Sequence, residues 1–252
     1  MTWLLTLAFD GTEYCGFQVQ PNGRSVAAAF QDGLEAVIGR RPDIKGCSRT
    51  DAGVHALGFA LSFEADLRIP PEKLPLALNT KLPRDIRVLS ARVVPDGFHA
   101  RYAAHTKTYL YRIRNSPIDS PFEERYYCRI PGRLDVERMQ RAAAHFVGTH
   151  DFLALCAAHS SAAAHGDTVR TITACGAERR GEMVEITVTA DGYLYNMVRI
   201  LAGTLCEAGA GRLDPEAVPA ILASRDRRLA GPTLPAKGLF LHHVDYGKEA
   251  EG

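Results

Sequence analysis

Apolar residues recur along the chain with two different periods, and these periods predict a mixture of strands and helices. Residues 3–9 form an apolar run that ends at the turn-forming pair Asp10-Gly11, so they are predicted to be the first strand. The clearest alternation covers residues 184–190, where Val, Ile, Val and Ala are separated by Glu and Thr. A strand of this kind buries one face only, which is typical of antiparallel sheets.

Apolar residues three or four positions apart predict helices that begin near Ser25, Asp135 and Tyr193. Ser25 and Asp135 are favourable N-cap residues because their side chains can accept a hydrogen bond from the first turn. Gly39 and Gly148 follow the first two patterns and are expected to end those helices.

Elements of both kinds occur on each side of a polar, turn-rich stretch at residues 117–133. The chain is therefore predicted to be α+β, with two similar lobes that share a mainly antiparallel sheet flanked by helices. The predicted N-terminal lobe covers residues 1–105 and the C-terminal lobe covers residues 106–246. Residues 247–252 are expected to form a disordered tail.

The composition of the 252 residues is that of an ordinary globular protein, with 46% hydrophobic and 23% charged residues. A net charge of +1 argues against a uniformly basic surface, so any nucleic-acid site must come from local clusters of basic residues. The residues in such clusters are Arg40, Arg41, Lys45, Arg49, Arg101, His105, Lys107, Arg179, Arg180, Arg225, Arg227 and Arg228.

Several classes of site are not indicated by the sequence. Six cysteines are scattered without a C-x-x-C pair, a pattern that fits neither a zinc site nor a disulfide framework and favours the cytoplasm. The apolar start is too short for a signal peptide or a membrane span, so no membrane contact is expected. No phosphate-binding loop or dinucleotide fingerprint is present, so no nucleotide cofactor is predicted.

His159 and His165 could suggest a metal site, and both lie in an alanine- and serine-rich run at residues 156–167. No paired acidic or thiol ligand stands near them in the sequence, so a solvated loop is favoured and no metal is predicted.

The turn at residues 49–55 carries an arginine, a carboxylate and a histidine between two predicted strands. Thr50 and Asp51 can bond the nearby backbone, and Gly53 accepts backbone angles that other residues avoid. Taken alone, Asp51 is more often a structural turn residue than a catalytic group, Arg49 fits a solvent-facing side chain, and His55 fits a surface or core residue.

The run Arg49-Thr50-Asp51-Ala52-Gly53-Val54-His55 resembles the catalytic signature of the TruA family of tRNA pseudouridine synthases. Ser48 stands where the family has glycine. The resemblance extends over nearly the whole chain, from the Asp10-Gly11 turn to Tyr246.

The resemblance implies roles for individual residues. Asp51 is the expected catalytic group, acting as nucleophile or base, and Arg49 is expected to help flip the target nucleotide or to contact the RNA. Arg199, in a matching Met-Val-Arg run, is expected to pair with Asp51. The expected substrate-binding residues are Tyr109, Arg49, His55, Arg24 and Lys107.

A second stretch, Phe98-His99-Ala100-Arg101 followed by residues 107–111, also carries candidate chemistry. Alternation over residues 107–114 predicts a strand with Tyr109 and Tyr111 on one face, for which core packing is the ordinary interpretation. Under the resemblance, Tyr109 stacks on the target base and Tyr111 is structural.

The resemblance implies the pseudouridine synthase fold and an isomerase that converts uridine to pseudouridine in the anticodon stem-loop of transfer RNA, at positions 38–40. It also implies a cofactor-free reaction and a homodimer that binds transfer RNA. The alternative is a protein that binds and folds transfer RNA without catalysis. A glycoside hydrolase is less well supported, because it would need a second carboxylate from Asp10, Glu64 or Asp66 to converge on Asp51.

Overall fold

The computed structural model describes residues 1–21, 23–157 and 164–247. The chain divides into two compact units: Met1–Thr106 with the segment that begins at Phe240, and Lys107–Leu239. The strands are mainly antiparallel and helices pack against them, which confirms the predicted α+β class. His159 and the predicted tail beyond Gly247 lie outside the described residues.

The first unit is built on a sheet with the strand order β4-β1-β3-β10, and a short strand, β2, also pairs with β3. The strands are β1 (Thr2–Phe9), β2 (Ile44–Gly46), β3 (His55–Glu64), β4 (Ile86–Val94) and β10 (Leu239–Asp245). Strand β1 is antiparallel to both β3 and β4, whereas β10 runs parallel to β3.

The closing strand β10 corrects the predicted boundary of the C-terminal lobe. The sequence assigned residues 106–246 to one lobe, but the segment from Phe240 onwards groups with the first unit. The reason is strand pairing, because Phe240 of β10 is aligned with His55 at the start of β3.

Helix α1 (Val26–Ile38) follows the predicted signals closely. The Ser25 side chain accepts a hydrogen bond from the backbone N–H of Ala28, and Gly39 ends the helix with a left-handed φ of 73°. A second, short helix, α2 (Leu74–Asn79), packs against β4.

The second unit has the strand order β5-β9-β8-β7, with β6 parallel to β5. The strands are β5 (Thr106–Arg114), β6 (Cys128–Arg129), β7 (Gly148–Asp151), β8 (Val169–Arg180) and β9 (Met183–Ala190). The alternation predicted at residues 184–190 is confirmed, because its four apolar side chains are fully buried.

The helices described in this unit are α3 (Val136–Ala144), α4 (Met197–Gly209) and α5 (Val218–Ser224). Single 3-10 turns occur at Glu124–Tyr126, Leu153–Leu155, Pro215–Ala217, Arg227–Leu229 and Ala236–Gly238.

Helix α4 begins later than predicted, because Asn196 has a left-handed φ of 62° and the residues before it cannot continue the helix. Within the part of the chain that the structure describes, no helix combines the length and the apolar character needed to cross a bilayer.

Candidate active site

Asp51 lies on a tight turn between β2 and β3 and is partly exposed. The backbone N–H of Val54 donates to the Asp51 carbonyl at 3.2 Å, which closes the turn. Gly53 has a φ of 76°, so the backbone here takes the left-handed conformation expected from the sequence. The carboxylate is therefore carried on a short, internally bonded loop.

The segment that follows β1 holds this turn from one side. The N–H of Phe17 donates to the Thr50 carbonyl and the N–H of Gly53 donates to the Tyr14 carbonyl, both at 3.2 Å. These two bonds lie on either side of Asp51 in the sequence. They fix the backbone of the turn to the rest of the first unit.

Two glycines allow this close approach of the backbones. A Cβ atom at Gly11 would lie 2.0 Å from the Val54 carbonyl oxygen, and one at Gly16 would lie 2.5 Å from the Thr50 carbonyl oxygen. Either contact is too short for any side chain, so larger residues would push the Asp51 turn away.

His55 is buried, with only 1% of its surface exposed. Its Nδ1 accepts the backbone N–H of Gly11 at 3.0 Å, and its ring stacks on Phe240 with 4.7 Å between ring centroids. Because Nδ1 accepts a hydrogen bond, the neutral ring carries its proton on Nε2. His55 supports the turn in this structure, and the substrate contact predicted for it stays a prediction.

Asp10 lies beside the hydrogen bond between Gly11 and His55 and stabilises the turn that follows β1. Its Oδ1 lies 3.2 Å from Nδ1 of His55 and accepts hydrogen bonds from the backbone N–H of Thr12 at 2.9 Å and the Thr12 hydroxyl at 2.5 Å. The Asp10-Gly11 pair, predicted from the sequence only as a turn, therefore also contacts His55, through the backbone N–H of Gly11.

The predicted RNA-binding arginines of this unit, Arg49 and Arg24, are both exposed. The Arg24 guanidinium lies over the Tyr14 ring at 4.7 Å and 3.8 Å from the Asp85 carboxylate. The Tyr14 hydroxyl donates to the same carboxylate at 2.7 Å. Burial and this hydrogen bond raise the pKa of Tyr14, so its hydroxyl stays protonated at neutral pH.

Ser48, which replaces the family glycine, does not strain the backbone. Among the described non-glycine residues, only Asn196 and Arg225 have a positive φ. The position before Arg49 therefore does not require glycine for its conformation.

In the second unit, Tyr109 lies on β5 opposite Val188 of β9 and is 6% exposed. Its ring meets the ring of Tyr193 edge-on, with centroids 4.8 Å apart and an interplanar angle of 80°. The Tyr193 hydroxyl lies 2.7 Å from the Lys107 carbonyl oxygen and 2.8 Å from that of Val188. Tyr193 therefore joins β5 to β9 directly beside Tyr109.

The environment of Tyr193 keeps it uncharged. Burial raises its pKa well above the ordinary value, and the neighbouring Tyr109 and Cys175 act in the same direction. Tyr111 is fully buried and donates to the Pro235 carbonyl at 2.8 Å, which confirms its predicted structural role.

Arg199 is held in the first turn of α4. Its Nε donates to the Leu234 carbonyl and its Nη1 donates to Oδ1 of Asn196, both at 2.7 Å. The left-handed backbone of Asn196 places that amide at the start of the helix. These bonds set the direction of the guanidinium; the predicted pair with Asp51 stays a prediction.

Four residues that support the candidate site were not predicted from the sequence: Asp10, Tyr14, Tyr193 and Asn196. The sequence features closest to an indication of these residues were the Asp10-Gly11 turn and the apolar pattern that placed Tyr193 in a predicted helix. Among the residues with described positions, no three His, Cys, Asp or Glu side chains cluster as a metal ion would require.

Comparison with known proteins places these residues in a family. The profile of a family described as tRNA pseudouridine synthase matches residues 6–103 and 142–247. The chain belongs to the tRNA pseudouridine synthase family. The first matched segment contains the Asp51 turn and its support at residues 10–17, and the second contains Arg199.

Curated members of the tRNA pseudouridine synthase family are similar over almost their whole length. A protein of Shouchella clausii named tRNA pseudouridine synthase A is 45% identical over 243 residues, covering 96% of this chain and 92% of the relative. A protein of Moorella thermoacetica with the same name is 46% identical over 244 residues, covering 96% and 98%. A third, from Bacillus pumilus, is 41% identical over 244 residues, covering 96% and 97%.

Proposed function

We propose that the chain isomerises uridine to pseudouridine in transfer RNA, with Asp51 as the catalytic carboxylate. The observation that carries this proposal is the Asp51 turn, held by the backbone bonds of Thr50 and Gly53 within a segment matched by the family profile. A preorganised, partly exposed carboxylate is what the reaction needs beside the sugar.

The reaction is redox-neutral and balances without a co-reactant. The bond between N1 of uracil and C1′ of ribose breaks, the base rotates, and a bond forms between C5 and C1′. The proton on C5 is then released and N1 regains one. An ionised Asp51 can serve either by attacking the sugar carbon or by removing a sugar proton, and both routes require that water be kept away while the base is detached.

The remaining predicted residues have roles that suit their positions. We propose that Tyr109 stacks on the target base and that Arg199 pairs with Asp51 to hold it ionised. Both side chains have fixed orientations, because Tyr193 borders the Tyr109 ring and Asn196 binds the guanidinium. Such preorganisation favours catalysis over simple retention of the substrate.

RNA contact is proposed for two exposed cations, Arg49 and Arg24, and for the half-buried Lys107. Arg49 is proposed to help keep the target nucleotide out of its stack, since a base inside a duplex cannot be reached. Arg24 and Lys107 are proposed to contact phosphates, which position the RNA without reading its sequence. With a net charge of +1, the chain relies on such local groups rather than on its overall field.

We further propose that the anticodon stem-loop is the modified region, that the protein acts in the cytoplasm, and that it works as a homodimer. A groove assembled from the local basic patches of two subunits fits the modest net charge. The dimer is checked by light scattering, and a monomeric mass at micromolar concentration would contradict it.

The activity is tested by incubating unmodified transfer RNA with the native protein and analysing the nucleosides after digestion. The proposal expects new pseudouridine, which mapping should place in the anticodon stem-loop. RNA that is bound by the protein and recovered with no pseudouridine would instead favour the non-catalytic tRNA-binding alternative.

A further inference from the structure

Tyr102 is an aromatic residue that the proposed reaction does not use. It lies in the turn that follows β4, and 77% of its surface is exposed. A single exposed apolar residue needs no explanation by itself. The setting of Tyr102 is what distinguishes it, because its turn is rigidly held and its neighbours are cationic or aromatic.

The turn is closed by bonds to one residue. The backbone N–H groups of Tyr102 and Ala103 donate to the His99 carbonyl at 3.1 and 3.0 Å. The N–H of Arg101 donates to Nδ1 of His99 at 3.1 Å. Tyr102 is therefore presented on a compact turn with a defined backbone.

The same turn is anchored to the core of the first unit through Ala100. Its N–H donates to the Ser62 hydroxyl at 3.0 Å, and its carbonyl accepts the Tyr246 hydroxyl at 2.7 Å. The Phe98 ring packs on Tyr246 with centroids 5.2 Å apart. An exposed ring on so firmly anchored a backbone loses little entropy when a ligand binds to it.

The neighbours of Tyr102 form a surface that combines flat rings with positive charge. The His99 ring lies 4.3 Å from the Tyr102 ring, tilted by 38°, and the Arg101 guanidinium lies 5.8 Å from the ring centroid. Burial, then Lys45, lowers the pKa of His99, although the carboxylate of Asp43 opposes this shift. His99 is therefore uncharged at neutral pH and available as a second aromatic surface.

We propose that Tyr102 and His99 form a stacking subsite for an unpaired nucleobase of the RNA substrate, with Arg101 beside it to contact the phosphate. This inference rests on the proposed function, because it takes transfer RNA as the ligand. An aromatic surface beside cationic side chains is how proteins hold single-stranded nucleic acid. The subsite lies on the first unit, which also carries the Asp51 turn.

Charge favours RNA over a second copy of the chain as the occupant. The exposed Arg101 guanidinium lies 5.8 Å from the Tyr102 ring, and RNA carries a negative phosphate beside every base, whereas a second copy of the chain has a net charge of +1. A base can stack on the Tyr102 ring while its phosphate pairs with the Arg101 guanidinium.

The test measures equilibrium binding of an unmodified transfer RNA transcript in the Asp51→Asn background, so that the RNA stays unmodified. Tyr102→Ala should weaken binding about 5- to 30-fold, and Tyr102→Phe should bind within about twofold of the parent, because the ring provides the stacking. Phe122→Ala is the matched control: Phe122 is 91% exposed but is followed by two glutamates. It should leave binding unchanged.

A spectroscopic readout accompanies the titration. The chain has one tryptophan, Trp3, which is buried, so Y102W adds a single exposed fluorophore. RNA should quench the added fluorescence if a base stacks on it, while the parent protein supplies the background signal from Trp3.

Three results would overturn the subsite: unchanged binding by Tyr102→Ala, equal losses in Tyr102→Ala and Phe122→Ala, or a change in oligomeric mass that accounts for the loss. If Tyr102→Ala binds RNA as tightly as the parent in a protein that makes pseudouridine, the subsite is refuted and the proposed activity is not. Loss of binding by Tyr102→Ala in a protein that makes no pseudouridine would support the subsite and refute the proposed activity.

Discussion

Removing Nδ1 of His55 should disturb the Asp51 turn without changing any exposed residue. His55→Leu keeps a side chain of similar size but leaves the buried N–H of Gly11, now bonded at 3.0 Å, without its acceptor. An unpaired buried donor costs about 1–3 kcal/mol and the lost stacking on Phe240 costs about 0.5–1.5 kcal/mol. The expected destabilisation is therefore about 2–4 kcal/mol.

The matched variant is His55→Asn, whose side-chain oxygen can take the position of Nδ1. It loses the stacking but keeps an acceptor for Gly11, so it should lose only the stacking contribution, about 0.5–1.5 kcal/mol. Urea unfolding of the native protein and the two variants measures these differences. The gap between the leucine and asparagine variants isolates the bond to Gly11.

Catalysis should respond in the same order as stability. A displacement of about 1 Å in a reacting group costs up to about 100-fold in rate, so His55→Leu should lower kcat strongly. Binding of transfer RNA should change by less than about twofold, because the His55 side chain is buried. Equal unfolding midpoints for the two variants, or a loss of RNA binding that matches the loss of kcat, would refute this assignment.

Three further changes test other parts of the structure. Tyr193→Ala should lower kcat while Tyr193→Phe keeps most of it, because the ring borders Tyr109 edge-on; equal kcat values for the two variants would contradict this. Gly203→Ala should lower the free energy of unfolding by about 1–3 kcal/mol or more, because its Cβ would lie 1.9 Å from the Pro232 carbonyl oxygen. A native unfolding midpoint would show that this contact relaxes freely. Cys206 should resist alkylation at about pH 8, because its side chain is buried and burial raises its pKa to about 12, so the thiolate forms only near that pH. Mass spectrometry measures the labelling, and rapid modification of the folded protein would contradict the predicted burial.

The fold was predictable where short-range pattern and burial agree. The alternation at residues 184–190 predicted a strand with one buried face, and the Ser25 and Gly39 signals predicted both ends of α1. These features depend on residues close together in the sequence. The local sequence pattern was therefore enough to predict the strand and both helix ends.

Features that depend on distant residues were not predictable in the same way. The support that His55 gives to Gly11 was not predicted, because the two residues lie 44 positions apart and nothing local indicates their hydrogen bond. The start of α4 was predicted at Tyr193, since apolar spacing cannot show that Asn196 takes a left-handed conformation. The return of β10 to the first unit likewise depends on its pairing with β3.

The identity of the catalytic group came from the resemblance of residues 49–55 rather than from their spacing. The geometry adds the reason why this turn can act: its backbone is bonded at Thr50 and Gly53, and glycines at positions 11 and 16 allow the supporting segment to approach. Asp51 is thereby presented on a fixed support.

The most direct test of Asp51 is the release of tritium from transfer RNA labelled at C5 of uridine, measured for the native protein and for Asp51→Asn. The substitution removes the negative charge and keeps the shape of the side chain. We expect release by the native protein and none above background by the variant, while both bind the RNA with similar affinity. Release by the variant at the native rate would contradict the assignment of Asp51 as the catalytic carboxylate.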